Sequence, residues 1–263
     1  MRILYLSLIV SAFAALAPAA GLGAQNPSTT PAKPAPSTSS TTAKATAGSP
    51  DPALLHPTQL TDHAPATFQV KFTTTRGNFI VTVTRAWAPL GADRFYNLVK
   101  HHFYDGAAFF RVLKGYVAQF GISPYPAVTA VLRNADIKDD PVTMSNKRGY
   151  LVFATSGPDT RTTQLFINLA DNKSLDARGF APFGQVTQGM GVVDSLYQGY
   201  GEGGTPGGGP DQSEMERLGK PYIDKGWPKL DVIKTAALFT PPAAPATPAT
   251  PAAAKKPASS PKS

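Results

Sequence analysis

The chain has 263 residues, no cysteine and a formal net charge of +8 at neutral pH. The absence of cysteine excludes disulfides, thiol catalysis and cysteine metal sites, and it is compatible with an oxidising compartment. The charge says little about a partner, because residues 58–240 hold nineteen Lys and Arg against sixteen Asp and Glu. The sequence has no basic helix and no basic strip with interleaved aromatic residues, so we expect no nucleic-acid partner.

The first 24 residues have the pattern of a secretory signal peptide. Arg2 supplies the positive start, Ile3 to Leu16 form an apolar run, and small residues up to Ala24 offer cleavage sites. The alternative, a membrane anchor, is disfavoured because the apolar run is short and rich in alanine. We therefore expect an exported protein, periplasmic or extracellular, with no membrane insertion after the signal is removed.

Two further segments, 25–57 and 241–263, are dominated by proline and small residues. Such compositions cannot bury enough apolar surface to offset the entropy of the chain, so both segments are predicted to be disordered. The stretch between them, 58–240, is predicted to be the single folded domain.

Alternating apolar residues predict the first strands of this domain. Residues 67–75 and 79–83 each alternate, and the sequence at 76–78 indicates a hairpin turn between them. Pro89 suits the first turn of a helix, which apolar residues at helical spacing extend to about His101.

A second hairpin contains the most informative residue, Arg111. Between Phe103 and Gln119, two apolar runs are separated by Lys114-Gly115, and Arg111 is the one arginine in this stretch. A guanidinium in an apolar run must be paired or must serve a ligand, because a bare buried charge is too costly. This segment alone leaves two interpretations open, a core arginine paired with a nearby aspartate or an arginine that acts on a ligand.

The remaining predicted elements are short. Residues 123–147 form a long connection with three prolines, and connections of this length are usually functional or flexible. Three strands, a short helix and a last strand are predicted at Tyr150–Ala154, Gln164–Leu169, Ala181–Val186, Met190–Leu196 and Leu230–Ile233. Many short strands with two helices predict a mainly β fold, a closed antiparallel barrel whose ends the helices cover.

Two other patterns do not indicate a site. The glycine-rich stretch Gly199–Pro210 lacks the Lys-Ser/Thr pair and the strand-to-helix context of a phosphate-binding loop, so we predict a flexible surface loop. His101 and His102 are adjacent at a predicted helix end, where they point in different directions, and no third ligand stands at a useful spacing. We therefore expect no metal.

Three sequence blocks carry a resemblance to a known family. F-Y-D-G-A-A-F-F-R-V begins at Phe103, Q-L-F-I-N at Gln164, and S-L-D-A-R-G-F-A-P-F-G-Q-V at Ser174. In this order and spacing they resemble the cyclophilin family of peptidyl-prolyl cis-trans isomerases, over roughly residues 67–237. The resemblance implies an eight-stranded β-barrel capped by two α-helices, an isomerase without a cofactor, and proline-containing polypeptides as clients.

The chemistry of X-Pro rotation gives a separate reason to place one arginine beside aromatic residues. The rotation barrier is about 18–20 kcal/mol because the amide is conjugated. It falls when the prolyl nitrogen becomes pyramidal, so a donor aimed at that nitrogen stabilises the twisted state and not the planar one. A permanently charged, planar guanidinium suits this role, and no nucleophile, metal or general base is needed.

Matched residue by residue, the resemblance implies catalytic roles for Arg111 and Gln119. It implies substrate-binding roles for Phe109, Tyr116, Val117, Ala154, Thr155, Gln164, Phe166, Leu175 and Phe180. The chain departs from the family pattern at Ser174, where an aromatic residue is usual, and at 120–122, where Phe-Gly-Ile replaces Gly-Gly-Asp. Phe180 takes the place of a histidine and keeps an aromatic wall.

We therefore expect a secreted, monomeric, single-domain isomerase that acts on X-Pro segments of exported proteins. Two alternatives remain. One is a cyclophilin-fold peptide-binding module or chaperone with negligible turnover, which Ser174 and Phe120 make plausible. The other is a secreted β-barrel domain with a structural or adhesive role. The intact set of Arg111, Gln119 and Phe166 argues against both.

Overall fold

The structure is a computed structural model that describes residues 49–240. The predicted signal peptide, most of the predicted linker and the predicted C-terminal tail lie outside the described residues.

Eight antiparallel strands form one curled sheet in the described part of the chain. They are β1 Thr67–Thr74, β2 Asn78–Thr84, β3 Arg111–Leu113, β4 Val117–Phe120, β5 Tyr150–Phe153, β6 Leu165–Asn168, β7 Pro182–Gln188 and β8 Ile233–Phe239. Neighbours in the sheet follow the order β3-β4-β6-β5-β7-β2-β1-β8. The predicted mainly β, antiparallel fold is confirmed, although the last strand begins where its predicted range ends.

The prediction of a closed barrel is wrong, because within residues 49–240 the strand order has two ends, β3 and β8. The segment that precedes β3 meets the start of β8 and the residues just before it. Ala108 and Val232 form an isolated bridge, and the Gly106 N–H donates to the Ile233 carbonyl at 2.7 Å. β3 has three residues and begins beyond this bridge, so its outer edge carries no ladder to β8.

Five α-helices lie in residues 49–240. They are α1 Pro89–Lys100, α2 Pro126–Leu132, α3 Met190–Asp194, α4 Gln212–Leu218 and α5 Lys220–Gly226. None of these five is long and apolar enough to cross a membrane. The sequence predicts α1, which packs against β7 and β8, and α3, which packs against β2. It does not predict α2, which lies in the predicted long connection at 123–147, or α4 and α5, where too few apolar residues recur at helical spacing.

Aromatic side chains fill the main core inside the curled sheet. Phe72 of β1 stacks on Phe79 of β2 with 4.7 Å between ring centroids, and it meets Phe120 of β4 edge-on at 5.9 Å. Phe95 of α1 lies 5.3 Å from Phe183 of β7. All five side chains are fully buried. The interior is therefore a packed core, and binding has to take place on another face of the sheet.

A second hydrophobic cluster lies between the β3–β4 hairpin and the two C-terminal helices, α4 and α5. Its buried members are Ala108, Phe110, Ile122, Met215, Ile223 and Leu230. Tyr222 and Trp227 pack against this cluster and against each other, with ring centroids 4.8 Å apart. The cluster fixes the C-terminal segment beside the sheet edge that carries β3.

The residues before β1 pack along α1. The Asn97 side chain donates to the Asp62 carbonyl at 2.7 Å and accepts from the Asp62 N–H at 3.2 Å. Farther upstream, a 3-10 turn at Pro52–Leu55 places Leu54 in the main core, where it is 2% exposed. Part of the predicted disordered segment 25–57 therefore packs on the domain, and the boundary expected at residue 58 lies too late.

Asp93 of α1 ties this upstream segment to the end of β2. Its carboxylate accepts from Arg85 Nε at 2.7 Å and from the Ala64 N–H at 2.9 Å, and it lies 2.8 Å from His63 Nδ1. Burial alone would raise the pKa of Asp93, but these hydrogen bonds outweigh it and lower the pKa from 3.8 to about 2. The stabilisation is therefore present above the unfolded pKa and is lost as the pH falls toward 2.

Leu54→Ala is expected to lower the free energy of unfolding by about 2–5 kcal/mol, because it removes a buried side chain from the core. The adjacent Leu55 is 38% exposed and provides a matched control. Leu55→Ala is expected to change the free energy of unfolding by less than about 0.5 kcal/mol. Urea unfolding followed by tryptophan fluorescence measures both. Equally small effects would show that residues before 58 do not belong to the folded domain.

Candidate active site

One row of side chains crosses four neighbouring strands at an end of the sheet. Arg111 on β3 pairs with Gln119 on β4, which in turn pairs with Phe166 on β6. Phe166 pairs with Val152 on β5. Residues directly opposite one another in antiparallel strands point to the same face. Their sequence neighbours, such as Ala118, are buried in the main core, so the row lies on the other face of the sheet.

A small apolar patch lies on the same face as Arg111. Its buried members are Val117, Val152, Phe166 and Leu175, and half-buried Tyr116, Ala154 and Phe180 pack against them. Phe166 and Phe180 meet edge to face with 5.6 Å between ring centroids. The structure thus brings together six of the apolar residues predicted to bind substrate.

Phe109 is not part of this patch, and the prediction that it binds substrate is corrected. Its side chain is fully buried in the main core, with its ring centroid 5.1 Å from that of Phe120. A regular strand would put residues 109 and 111 on one face. β3 begins only at Arg111, however, and the Phe109 N–H donates to the Asp231 carbonyl at 2.9 Å. Before β3 the backbone is therefore hydrogen-bonded to Asp231, and the alternation of side chains in β3 does not extend to Phe109.

Two glutamine side chains connect Arg111 to the rest of the site. Arg111 Nη1 donates to Gln119 Oε1 at 3.2 Å, and Gln119 Nε2 donates to Gln164 Oε1 at 3.0 Å. The guanidinium carbon also lies 5.9 Å from the centre of the Tyr116 ring, within reach of a cation–π contact. The two residues predicted to be catalytic are therefore in direct contact.

The sequence analysis missed Glu202, the second partner of Arg111. Its carboxylate accepts from Arg111 Nε at 2.7 Å and from Arg111 Nη2 at 2.6 Å. The hydrogen bond from Arg111 lowers the pKa of Glu202, and burial opposes this shift less strongly. Glu202 is the one charged residue in the glycine-rich stretch Gly199–Pro210. A single charged residue within a glycine-rich stretch stands out in the sequence. The sequence does not show, however, that its partner lies 91 positions away.

A polar cavity of about 210 Å³ adjoins Gln119. Predicted site residues Ala154, Thr155 and Gln164 line it. So do four residues that the sequence analysis did not single out, Ser156, Thr160, Thr162 and Gln212. Gln212 is the first residue of α4, so the C-terminal segment reaches the site at a second point. The cavity walls offer hydroxyl and amide groups, which suit a polar chain such as a peptide backbone.

The two departures from the family pattern have different consequences. Ser174 is exposed on the 3-10 turn Lys173–Arg178, so no aromatic side chain extends the wall of the patch there. Phe120 points away from the site and fills the main core. Gly121 follows it with φ +108°, and a Cβ at this position would lie 2.5 Å from the Thr163 carbonyl oxygen. The altered turn thus leaves the glutamine before it in contact with the arginine.

Comparisons with known proteins show which family this chain resembles. The family model described as "Cyclophilin type peptidyl-prolyl cis-trans isomerase/CLD" matches residues 69–213, more than half of the chain. The chain belongs to the cyclophilin family. A peptidyl-prolyl cis-trans isomerase of Acinetobacter baylyi is 38% identical to this cyclophilin over 143 residues, which cover 51% of this chain and 74% of that protein.

Two further relatives are more distant. Peptidyl-prolyl cis-trans isomerase B of Escherichia coli is 31% identical over 136 residues, which cover 48% of this chain and 82% of that protein. A cyclophilin type isomerase of Cryptosporidium parvum has a crystal structure that covers 67% of this chain and 99% of its own, with a TM-score of 0.50 and 19% identity. That structural likeness shows the shared fold alone. The family and its sequence relatives show that this cyclophilin is a peptidyl-prolyl cis-trans isomerase.

Phe166 is predicted to form the floor of the proline pocket, so Phe166→Ala is expected to raise the KM of this cyclophilin for a proline peptide roughly tenfold. The substitution is also expected to destabilise the fold by up to about 3–5 kcal/mol. Phe183→Ala, in the main core, is the matched control, since it should destabilise similarly and leave KM unchanged. NMR exchange kinetics and urea unfolding measure the two effects. An equal rise in KM for both variants would contradict a direct role of Phe166.

Proposed function

We propose that this cyclophilin isomerises X-Pro bonds in exported proteins, with Arg111 as the catalytic residue and the apolar patch as the site of the proline ring. One observation carries the proposal. A partly exposed guanidinium stands at one end of a cross-strand row that continues through Gln119 to Phe166 and Val152, two members of the buried apolar patch. The proposed substrates agree with the activity of the family, whose members act on proline-containing peptides.

Arg111 retains donors for a substrate. A guanidinium carries five N–H groups. Two of them go to Glu202 and one goes to Gln119. The remaining two, one on Nη1 and one on Nη2, face no other protein acceptor among the described residues. In the twisted state the prolyl nitrogen regains its lone pair and accepts from such a donor. In the planar state that lone pair is delocalised, so the interaction favours the transition state.

The apolar patch holds one side of the rotating bond still. Phe166 forms the floor for the proline ring, and Leu175 and Phe180 flank it. The polar cavity at Thr155 and Gln164 receives the residues on the other side of the proline. A ring fixed beside the guanidinium keeps the prolyl nitrogen in position while the preceding carbonyl turns.

Arg111→Ala is expected to lower kcat by about 100-fold, the usual cost of removing one donor to a developing lone pair or charge. The fold should survive, because the carboxylate of Glu202 that loses its partner is 56% exposed. Arg217→Ala is the matched control, since Arg217 pairs with Glu214 on the surface of α4. Exchange spectroscopy on an X-Pro peptide measures both variants. Activity within twofold of wild type in Arg111→Ala would exclude the proposed mechanism.

The proposal that the substrates are exported proteins rests on the sequence of residues 1–24. A positive start, an apolar run and small residues before Ala24 are together typical of a secretory signal. The absence of cysteine from the whole chain agrees with this location, because no thiol can mispair in an oxidising compartment. We infer that the protein acts after export, on proline-containing segments of other exported chains.

The full-length chain, expressed in a Gram-negative host, is expected to appear in the periplasmic or culture fraction without its first residues. Deletion of residues 2–24 should retain the protein in the cytoplasm with unchanged activity toward an X-Pro peptide, since this segment precedes the folded domain. Mass spectrometry of each fraction gives the N-terminus. An uncleaved full-length chain confined to the cytoplasm would exclude export by this signal.

A further inference from the structure

We propose that Glu202 is a positioning residue for the isomerase reaction, which holds the Arg111 guanidinium in the orientation that the substrate requires. This inference rests on the catalytic role proposed for Arg111. It also assigns a role in the active site to the glycine-rich stretch Gly199–Pro210. The composition of this stretch predicts only a surface loop.

The contact has the geometry of a specific pair. Both carboxylate oxygens of Glu202 accept from one side of the guanidinium, at 2.7 Å from Nε and 2.6 Å from Nη2. Such a bidentate pair fixes the guanidinium plane as well as its distance, since the two parallel hydrogen bonds allow little rotation. Gln119 adds a third hydrogen bond at Nη1. Arg111 is therefore held from two directions by two different elements of the fold.

The loop that carries Glu202 is itself built around internal hydrogen bonds. The Gly209 N–H donates to the Glu202 carbonyl at 2.7 Å, and the Gly204 N–H donates to the Gly209 carbonyl at 3.1 Å. The indole Nε1 of Trp227 donates to the Gly208 carbonyl at 2.9 Å, which anchors the loop to the second hydrophobic cluster. The backbone of Glu202 is thus fixed before any substrate binds.

The loop also packs directly beside Arg111. A Cβ placed on Gly209 would lie 3.2 Å from the carbonyl oxygen of Phe110, the residue that precedes Arg111. Glycine at this position permits the close approach of the two backbones. The pairing of Glu202 with Arg111 therefore follows from the packing of the loop, and it does not require a chance encounter of two long side chains.

The side of the guanidinium that Glu202 occupies shows whether Glu202 orients Arg111 or blocks the access of a substrate to it. Glu202 takes Nε–H and one N–H of Nη2, whereas a second N–H of Nη2 and one N–H of Nη1 have no protein acceptor among the described residues. The substrate can therefore be bound while the ion pair persists. Because the Glu202 side chain is 56% exposed, the pair contributes little to stability, and its effect should be seen in turnover.

The test uses the isosteric variant Glu202→Gln, which removes the charge and keeps the shape. We expect kcat to fall about tenfold, because misplacement of a catalytic group by a fraction of an ångström has an effect of this size. KM should change by less than about twofold, since the apolar patch is untouched. Glu214→Gln is the matched control, because this carboxylate lies on the same C-terminal segment and pairs with Arg217 at 2.5 Å. It is expected to keep the wild-type kcat.

A spectroscopic measurement tests the pairing without reference to activity. In wild type, the Nε–H of Arg111 should give a ¹H–¹⁵N signal that exchanges slowly with solvent, assigned by its loss in Arg111→Ala. The same signal should exchange fast in Glu202→Gln and remain slow in Glu214→Gln. A fast-exchanging signal in wild type would overturn the proposal, because no pair then exists in solution.

The kinetic outcomes separate this inference from the proposed mechanism. A Glu202→Gln variant with wild-type or higher kcat, in a protein that Arg111→Ala inactivates, would overturn the role of Glu202 alone. Full activity in Arg111→Ala would instead overturn the catalytic role of Arg111, and the role of Glu202 with it.

Discussion

The cross-strand register of β3, β4, β6 and β5 is the constraint on which the site depends. It places Arg111, Gln119 and Phe166 opposite one another on one face. A slip of one residue would turn each of them into the main core, where a guanidinium has no partner. What prevents the slip is the other face, where Ala118 and Ile167 are fully buried. The aromatic core thus sets the geometry of the chemistry, although it does not touch the substrate.

Arg161 and Arg111 differ in their exposure to solvent. This difference distinguishes a structural ion pair from an arginine that can serve a ligand. Arg161 is 3% exposed and pairs with an equally buried Asp140, which also accepts from the N–H groups of Leu90 and Gly91 at the start of α1. Both side chains of this pair are enclosed by protein, so a ligand cannot reach it. Arg111 is 21% exposed, and its carboxylate partner reaches it from the solvent side. The hypothesis of a core arginine paired with an aspartate describes Arg161 rather than Arg111.

Sequence reasoning found those parts of the fold and the site that depend on local pattern. Alternation located β1, β2 and the hairpin of Arg111, because one side of each strand is buried and the other is not. The open edge at β3 could not be predicted, since closure depends on which residues of two distant segments meet. Phe109 was misplaced because strand alternation was extended past the point where β3 begins. Glu202 and Gln212 were missed because they reach the site only through the packing of α4, α5 and the preceding loop.

The C-terminal segment connects the open edge of the sheet to the site. A three-residue strand at the end of a sheet is weakly held, and its unpaired edge is open to other chains. The second hydrophobic cluster compensates, because Phe110, immediately before β3, packs with Met215 and Ile223 of the C-terminal helices. The same packing brings the glycine-rich loop against Phe110 and so delivers Glu202 to the next residue, Arg111. Stabilising the edge strand and orienting the arginine are therefore consequences of one contact surface, and a change that loosens the cluster should disturb both together.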